Sequence, residues 1–434
     1  MKILIIGSGG REHAIVWKLS QSPKVTKIFA IPGNPGIAQL AECIELKVDD
    51  TEKIIKFVKD EKIDLAIVGP EIPLMNGIVD RFEEEKLLIF GPRKSAAMLE
   101  GSKLFAKNFM KRYFIPTAQF NSFTNNEIGN AINYVQSQKY PLVIKADGLA
   151  AGKGVVICES FEDCKNTIQD YFVNNIFGEA GKKIVIEEYM QGEEVSLFVL
   201  TDGEKYIILP SAQDHKKILD DDKGKNTGGM GAYSPARCLT KQNLDEIEKI
   251  IIQPTLLGMK NEGNIYKGCL YVGLMLTNDG PKVVEFNVRF GDPETQVVLP
   301  ICEFDIADIF YQCANGNLNL IEKTNVDNSK NAVCVICASN GYPDEYEVGK
   351  QITGLEQFKT QDNILIFHSG TKNIGNEIVT NGGRVLGITA IGDEKNIHQT
   401  INEVYSAVKK INFDGMYYRK DIAKKAILWL NKIN

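Results

Sequence analysis

The chain has 434 residues, 44% of them hydrophobic, and a formal net charge of -6. This length suits two to four domains, and the mild acidity excludes nucleic-acid binding through bulk charge while leaving room for a local basic pocket. Nine cysteines are scattered, and Cys334 and Cys337 lie in an apolar run without a second pair or neighbouring histidine, so buried thiols in a reducing compartment are expected, not a zinc site.

Lys2–Ile6 is a short apolar strand pattern with no charged leader before it, and no later stretch approaches a membrane span. A cytoplasmic protein without a membrane partner is the expectation. Gly7-Ser8-Gly9-Gly10-Arg11-Glu12-His13 and a helix pattern through Leu19 follow, giving the strand, glycine turn and helix of a Rossmann-like unit. Glu12 stands where the dinucleotide fingerprint wants a third glycine, so NAD is not the expected ligand. Backbone N–H groups of the turn, strengthened by Arg11, suit a single phosphate; a plain tight turn is the alternative. His13 reads as an orienting or capping residue.

Val25–Ala30 is the next strand pattern, followed by the rigid loop Pro32-Gly33-Asn34-Pro35-Gly36. Ile54–Asp60 has helix periodicity. Leu65–Val68 and Leu87–Phe90 are buried-strand patterns ending in Gly69-Pro70-Glu71 and Gly91-Pro92. Such endings gather loops at one sheet edge, so residues 1–102 read as a doubly wound domain with a ligand crevice.

Ser102–Tyr113 reads as a helix carrying Lys103 and Lys107 on one face, and Asn125–Ser137 as another. The run Pro141–Ile144 then delivers Lys145, the small-residue loop Gly148–Gly154 follows with Gly152 and Lys153 inside it, and Val155–Cys158 resumes a strand. Glycines let backbone N–H groups approach a ligand and lysines supply mobile charge, as holding a triphosphate requires. A structural hairpin is the alternative. The Walker pattern is absent, and the loop joins two strands instead of a strand and a helix. Phe161–Phe172 reads as a helix, and the strand Lys183–Glu187 runs into an acidic exit, Glu187–Glu194, so residues 121–187 read as a small separate lobe.

Val195–Leu200 and Lys205–Ile208 form a hairpin pattern, and residues 213–231 read as a long polar loop, either functional or mobile. After a helix at Leu244–Leu256 and a strand at Lys267–Leu276, Lys282–Phe286 leads into Asn287. Glu285 and Asn287, at i and i+2 of a strand, point to one face and offer oxygen donors suited to Mg²⁺. A helix at Phe304–Ala314 and a polar segment at Asn325–Lys330 precede a compact α+β C-terminal domain. Its strands are Ala332–Ala338, Ile364–Ser369 and Val385–Thr389; the turn Gly415–Arg419 joins its helices Ile397–Ile411 and Lys420–Asn431.

Several stretches together carry a resemblance: IGSGGREHA (6–14), PGNPG (32–36), KADGLAAGKGV (145–155), QDHK (213–216), NTGGMGAYSP (226–235), EFNVRFGDPE (285–294) and HSGT (368–371). In these the chain resembles the phosphoribosylamine–glycine ligases (glycinamide ribonucleotide synthetases) of the ATP-grasp superfamily, nearly end to end. The resemblance implies a multidomain α/β and α+β protein. A Rossmann-like N-terminal domain would cover 1–102, an ATP-grasp domain 103–324 with a mobile lid at 121–187, and an α+β C-terminal domain 325–434. It also implies ligation of glycine to 5-phosphoribosylamine through glycyl phosphate, with ATP consumed and Mg²⁺ or Mn²⁺ bridging its phosphates.

Carried over by position, Lys107 and Lys145 would bind ATP phosphates under the lid loop with Gly148, Gly152, Lys153 and Gly154. Glu187, Glu188 and Met190 would meet adenine, and Glu194 the ribose. Glu285 and Asn287 would hold the metal; some relatives add an acidic ligand from the preceding strand, which contains none here. Arg289 would meet the glycine carboxylate or the transferring phosphoryl group, Asp214 an amine, and Asp292 a substrate hydroxyl or amine. Gly9, Gly10, Gly33, Asn34, Gly36 and Glu71 would face the phosphoribosyl part, with His368, Ser369 and Arg384 from the C-terminal domain.

The competing enzyme reading is another ATP-grasp ligase or a carboxylase, which should lack the QDHK and NTGGMGAYSP pair. Biotin-dependent relatives work with a lysine-bearing carrier signature, absent here. A nucleotide-sensing module is the non-enzymatic alternative, opposed by the joint presence of Lys145, Glu285, Asn287 and Arg289. The expected partners are the small-molecule substrates, with no nucleic acid, and the expected state is a monomer or weak homodimer.

Overall fold

The computed structural model describes residues 1–148, 154–318, 329–358 and 361–433. Gly152 and Lys153 lie outside the described residues, as does most of the polar segment Asn325–Lys330.

The first domain alternates strand and helix: β1 (Lys2–Gly7), α1 (Gly10–Ser20), β2 (Lys27–Pro32), β3 (Glu42–Cys43), α2 (Thr51–Glu61), β4 (Leu65–Val68), α3 (Glu71–Met75), α4 (Ile78–Glu84), β5 (Ile89–Phe90) and α5 (Lys94–Gly101). Its parallel sheet runs β3-β2-β1-β4-β5. The order reverses beside β1, so the crevice expected of such sheets opens between the loops after β1 and β4. Helices α3, α4 and α5 were not anticipated; they are short, and their apolar positions do not make a long helical stripe.

The next segment comprises α6 (Lys103–Arg112), β6 (Phe120–Thr124), α7 (Ile128–Gln136), β7 (Leu142–Ala146), β8 (Val155–Cys158), α8 (Phe161–Phe172) and β9 (Lys183–Glu188). Strands β6-β9-β7-β8 form an antiparallel sheet covered by α7 and α8. This lobe has its own core, including Ala131, Val135, Ile144, Cys164, Ile168 and Ile186. A separate core is what lets the lobe act as a lid.

β10 (Glu193–Thr201) and β11 (Tyr206–Ile208) follow, then β12 (Gln213–Asp214), β13 (Lys217–Leu219), β14 (Lys223–Asn226), β15 (Gly231–Ser234), α9 (Lys241–Ile247), α10 (Gln253–Asn261), β16 (Gly268–Thr277), β17 (Gly280–Asn287), α11 (Thr295–Val298) and α12 (Ile306–Asn315). A single π turn, Glu248–Ile252, joins α9 to α10. Strands β11-β10-β16-β17 form a second antiparallel sheet. Its inner face shares one apolar cluster with the first domain, in which Leu4, Ile6 and Val68 lie with Leu197, Val272 and Val283.

The chain ends with β18 (Lys330–Ser339), β19 (Ile364–His368), β20 (Thr371–Ile374), β21 (Glu377–Thr380), β22 (Arg384–Asp393), α13 (Ile397–Val408), β23 (Met416–Tyr417) and α14 (Lys424–Ile433). Its sheet, β12-β15-β18-β22-β19, corrects the reading of residues 213–231 as a loop. Within it β12 joins the C-terminal sheet through β15, which begins at the last residue of the stretch, and β13 pairs with β14 as a hairpin. The stretch expected to be a turn at Gly415–Arg419 likewise contains β23, paired to β18. Cys334 and Cys337 on β18 are buried in different apolar clusters, matching their reading as packing residues. Among the described residues no helix is long and apolar enough to cross a membrane.

Candidate active site

Lys107 on α6 and Lys145 on β7 converge on one carboxylate. Glu187 Oε2, on β9, lies 2.9 Å from Lys145 Nζ and 3.2 Å from Lys107 Nζ, and all three side chains are buried. Lys107 also donates to Thr117 Oγ1 at 2.7 Å. Lys145 donates to the Val284 carbonyl at 3.3 Å, tying the lid sheet to β17. Burial brings the Lys107 ammonium down to about 8, with Glu187 opposing the shift. Glu187 Oε1 has no hydrogen-bond partner. The Glu188 carboxylate accepts from the Gln119 N–H at 3.0 Å, while Met190 is half-buried and Glu194 exposed. Gly148 takes the Lys103 ammonium on its carbonyl at 3.2 Å, and the Gly154 carbonyl accepts from Ala146 at 2.8 Å.

A bulge aims the β17 pair. Val283 sits opposite Leu274 and Glu285 opposite Gly273, so Val284 is an extra residue. The inward alternation therefore switches: Val283 and Phe286 are buried, while Glu285 and Asn287 share the half-buried face. Burial pushes the Glu285 carboxyl up, but Lys216, Lys145, Lys103 and Arg289 outweigh it and bring it to about 2. Gly273 offers no donor, and a Cβ there would stand 3.2 Å from Glu285 Cγ. Among the described residues no three or more His, Cys, Asp or Glu cluster as a metal site. One ionised carboxylate and one amide oxygen on a common face still fit a hard cation that takes its remaining ligands from phosphate and water.

Arg289 follows that strand and is clamped by two carboxylates, Glu100 Oε1 at 2.9 Å and Glu71 Oε2 at 3.4 Å. It also donates to the Phe290 carbonyl at 3.1 Å. Burial raises Glu71, and Arg289 with Arg11 more than reverse it.

On β12, Asp214 accepts the His215 N–H at 2.6 Å. Burial and the Glu294 carboxylate raise its pKa well above the usual range, a condition that suits a group receiving a proton from an amine. His215 is buried, and its Nε2 accepts the Ala423 N–H at 3.3 Å, so it anchors the C-terminal segment. Lys216 reaches between Glu194 Oε2 at 3.7 Å and Glu285 Oε1 at 3.6 Å.

The turn after β1 is already satisfied from within. Glu12 Oε2 accepts the Gly9 N–H at 2.6 Å, and Oε1 accepts from Arg11 Nε at 2.7 Å. A Cβ at Gly7 or Gly69 would collide with the Glu12 side chain, so these glycines exist to admit it. Glu12 fills the crevice between β1 and β4, which is the physical reason a dinucleotide is excluded. Of the backbone N–H groups expected to suit a phosphate, that of Gly9 is therefore taken by Glu12. The Arg11 N–H faces Asp292 Oδ2 at 3.4 Å, and Asp292 Oδ1 accepts from Gln296 at 2.8 Å with Arg384 Nη1 at 3.4 Å.

The N- and C-terminal domains meet at these loops. Asn34 donates to the Ser8 carbonyl at 2.8 Å and the His368 carbonyl at 2.9 Å, while its Oδ1 accepts from Gly36 and Ile37. His13 Nδ1 accepts the His368 N–H at 2.8 Å, confirming an orienting role for His13. Burial lowers both imidazoles, His368 to about 4, so they are neutral hydrogen-bonding groups at neutral pH. Gly36 has room for no side chain against these rings, and Gly10 for none against Ser369 Oγ, which has no partner. Gly33, at φ +74°, packs against Cys43. Arg384 Nη1 donates to the Gly228 and Asp292 carbonyls at 2.6 Å each, linking the NTGGMGAYSP stretch to the Asp292 turn.

Comparison with known proteins decides the family. Profiles of phosphoribosylglycinamide synthetase match the chain as N domain over residues 1–100, ATP-grasp (A) domain over 101–295 and C domain over 332–425. The chain belongs to the phosphoribosylamine–glycine ligase family. It is 48% identical over 98% of its length to the phosphoribosylamine–glycine ligase of Caldanaerobacter subterraneus, covering 99% of that protein. It is 46% identical to that of Halalkalibacterium halodurans, with 98% of this chain and 97% of the relative covered. The Thermotoga maritima phosphoribosylamine–glycine ligase structure superposes with a TM-score of 0.83 at 34% identity, covering 97% of this chain and 100% of that one. A Hydrogenobacter thermophilus biotin carboxylase domain shares the fold at 16% identity, with a TM-score of 0.69 and coverage of 96% of this chain and 91% of that one.

Within this ligase fold the structure gathers Lys107, Lys145, Glu187, Glu285, Asn287, Arg289, Asp214 and Glu194 around the junction of lid and β17. A second group, Gly9, Gly10, Asn34, Gly36, Asp292, His368, Ser369 and Arg384, lies at the meeting of the outer domains, and Glu71 connects the two through Arg289. Lys216, Glu100, Glu12 and Lys103 went unassigned. Lys216 had a signal, its place in QDHK, and Lys103 had its spacing from Lys107; Glu100 acts through Arg289, remote in sequence, while Glu12 bonds within its own turn to Gly9 and Arg11 and occupies the space left by Gly69.

Proposed function

We propose that this chain joins glycine to 5-phospho-β-ribosylamine at the expense of ATP, giving N1-(5-phospho-β-ribosyl)glycinamide, ADP and phosphate. The observation that carries the reading is the convergence of Lys107 and Lys145 on Glu187, bonded through Lys145 to the strand of Glu285 and Asn287. Glycine's carboxylate oxygen attacks the γ-phosphorus and ADP leaves. The ribosylamine nitrogen then attacks the acyl carbon of glycyl phosphate, phosphate leaves, and the nitrogen gives up a proton.

In this reading Lys107 and Lys145 hold ATP phosphates, and Glu187 keeps both side chains aimed while the site is empty. Gly148 and Gly154 border the lid loop. Glu187 Oε1, Glu188 and Met190 border the adenine, and Glu194 the ribose. A divalent cation, Mg²⁺ or Mn²⁺, held by Glu285 and Asn287 would neutralise phosphate charge during transfer. Arg289, immobilised by Glu71 and Glu100, presents a fixed guanidinium to the glycine carboxylate or the transferring phosphoryl group. Asp214 accepts the proton of the amine. Asp292, Asn34, His368, Ser369 and Arg384 face the phosphoribosyl part with Gly9, Gly10, Gly33 and Gly36. The separate lid core allows closure that keeps water from glycyl phosphate. We place the enzyme in the cytoplasm as a monomer or weak homodimer, with domains at 1–102, 103–324 and 325–434.

The test is ADP release with glycine and ribosylamine 5-phosphate generated in situ. Release must depend on both substrates; ADP formation without either one sinks the assignment.

A further inference from the structure

Lys216 is the member of the 213–216 motif whose charge the proposed reaction leaves unused. Its neighbours are accounted for locally: Gln213 Nε2 donates to the Glu194 carbonyl at 2.9 Å, and His215 accepts from Ala423. The Lys216 ammonium stands 3.6 Å from Glu285 Oε1 and 3.7 Å from Glu194 Oε2. Both separations exceed a normal N–H···O hydrogen bond, so charge holds the ammonium between the carboxylates and directed bonding does not. All three side chains are part exposed, which leaves the ammonium room to move. One of these carboxylates is the proposed metal ligand and the other the proposed ribose ligand.

We infer that Lys216 is an internal stand-in for the divalent cation, neutralising Glu285 while the site is empty and yielding it when metal and nucleotide arrive. The inference rests on the proposed metal role of Glu285. A positive charge already paired with Glu285 opposes entry of a second cation at the same oxygen. The ammonium leaves easily only when another anion is offered, and the polyphosphate of ATP is such an anion. Metal binding is therefore weak in the empty enzyme and strengthens with nucleotide, and the coupling resides in the Lys216 side chain. Without Lys216, Glu285 would lose the ammonium paired with it and keep only the more distant charges of Lys145, Lys103 and Arg289, and metal would bind in the absence of nucleotide.

The experiment titrates nucleotide-free, full-length protein with Mn²⁺ and follows the free-ion paramagnetic resonance signal. Lys216→Met is expected to bind Mn²⁺ at least roughly tenfold more tightly than the wild type. Lys216→Arg keeps the charge and is expected to keep the weak affinity. Should Lys216→Met fail to fold, Lys216→Gln carries the same expectation. Unchanged or weaker Mn²⁺ binding in the folded neutral variant overturns the inference. Glu285→Gln separates it from the reading beneath it. Loss of Mn²⁺ binding there, with no gain in Lys216→Met, rejects the stand-in role alone. Unaltered Mn²⁺ binding in Glu285→Gln rejects the metal role of Glu285 and the stand-in with it.

Discussion

Lys145 Nζ lies 2.9 Å from Glu187 Oε2 in a pocket where both side chains are buried. The same oxygen serves Lys107, so one carboxylate faces two ammonium groups and the cluster holds an excess positive charge. An excess held in place is a receptor for an anion, and it explains why polar groups that are costly to bury are retained together.

Replacing Glu187 by Gln leaves both lysines buried without a counter-charge. We expect a stability loss of roughly 3–5 kcal/mol, seen as a lower urea midpoint. A midpoint equal to that of the wild type would show that Glu187 does not hold the lysines.

Lys107 makes stability depend on pH. Burial sets its pKa in the fold at about 8, against 10.5 ordinarily. Between those values the folded molecule has released a proton that the unfolded chain still binds, so this group's contribution to stability rises with pH over the window. Below pH 8 the burial penalty is present in full. The wild type should therefore gain on the order of 3 kcal/mol relative to Lys107→Met between pH 8 and 10.5. Urea titrations at intervals across this range provide the measurement, and a flat difference contradicts it. With Lys107 in its proposed role on the ATP phosphates, the same deprotonation should weaken ATP binding above pH 8.

Gly69→Ala puts a methyl group into the Glu12 carboxylate. Glu12 must then leave the Gly9 amide, disturbing the turn proposed to face the phosphoribosyl group. The KM for ribosylamine 5-phosphate should rise about ten- to a hundredfold, with the KM for ATP unchanged. Steady-state kinetics decides it, and an ATP defect of equal size would reassign the turn.

Arg419 is buried, donates to Asp421 through Nε at 2.8 Å and Nη2 at 2.7 Å, and reaches Asp222 at 2.9 Å and the Lys217 carbonyl at 3.0 Å through Nη1. It thus fixes the residue that follows Lys216. Arg419→Met should cost roughly 2–3 kcal/mol, less than a fully buried pair because Asp222 is part exposed. Thermal unfolding measures the loss; no shift in Tm would make the network a surface feature.

Much of the site was legible because its residues sit in short stretches whose spacing has a physical meaning. Glu285 and Asn287 share a face as strand alternation requires, and the glycines around Glu12 mark places where no Cβ fits. Strands β12 and β14 were not legible. They are short and polar without alternation; β12 pairs with β15, and β15 in turn takes its other partner from β18, far along the chain. Glu100 was missed for a related reason: it lies on α5, whose pattern gave no helix, and its meaning comes only from Arg289. The Val284 bulge left no sequence trace, yet it alone puts Glu285 on the outward face.

The bond from His368 N–H to His13 Nδ1 spans 355 positions of sequence. A ribosome making this chain releases the turn of His13 long before the strand of His368 that closes against it. The nascent N-terminal domain must persist through that interval with a half-built wall, so products truncated before His368 that fold their first sheet still lack one side of the crevice proposed to face the sugar. The wall of that crevice is thereby a late product of translation relative to its floor.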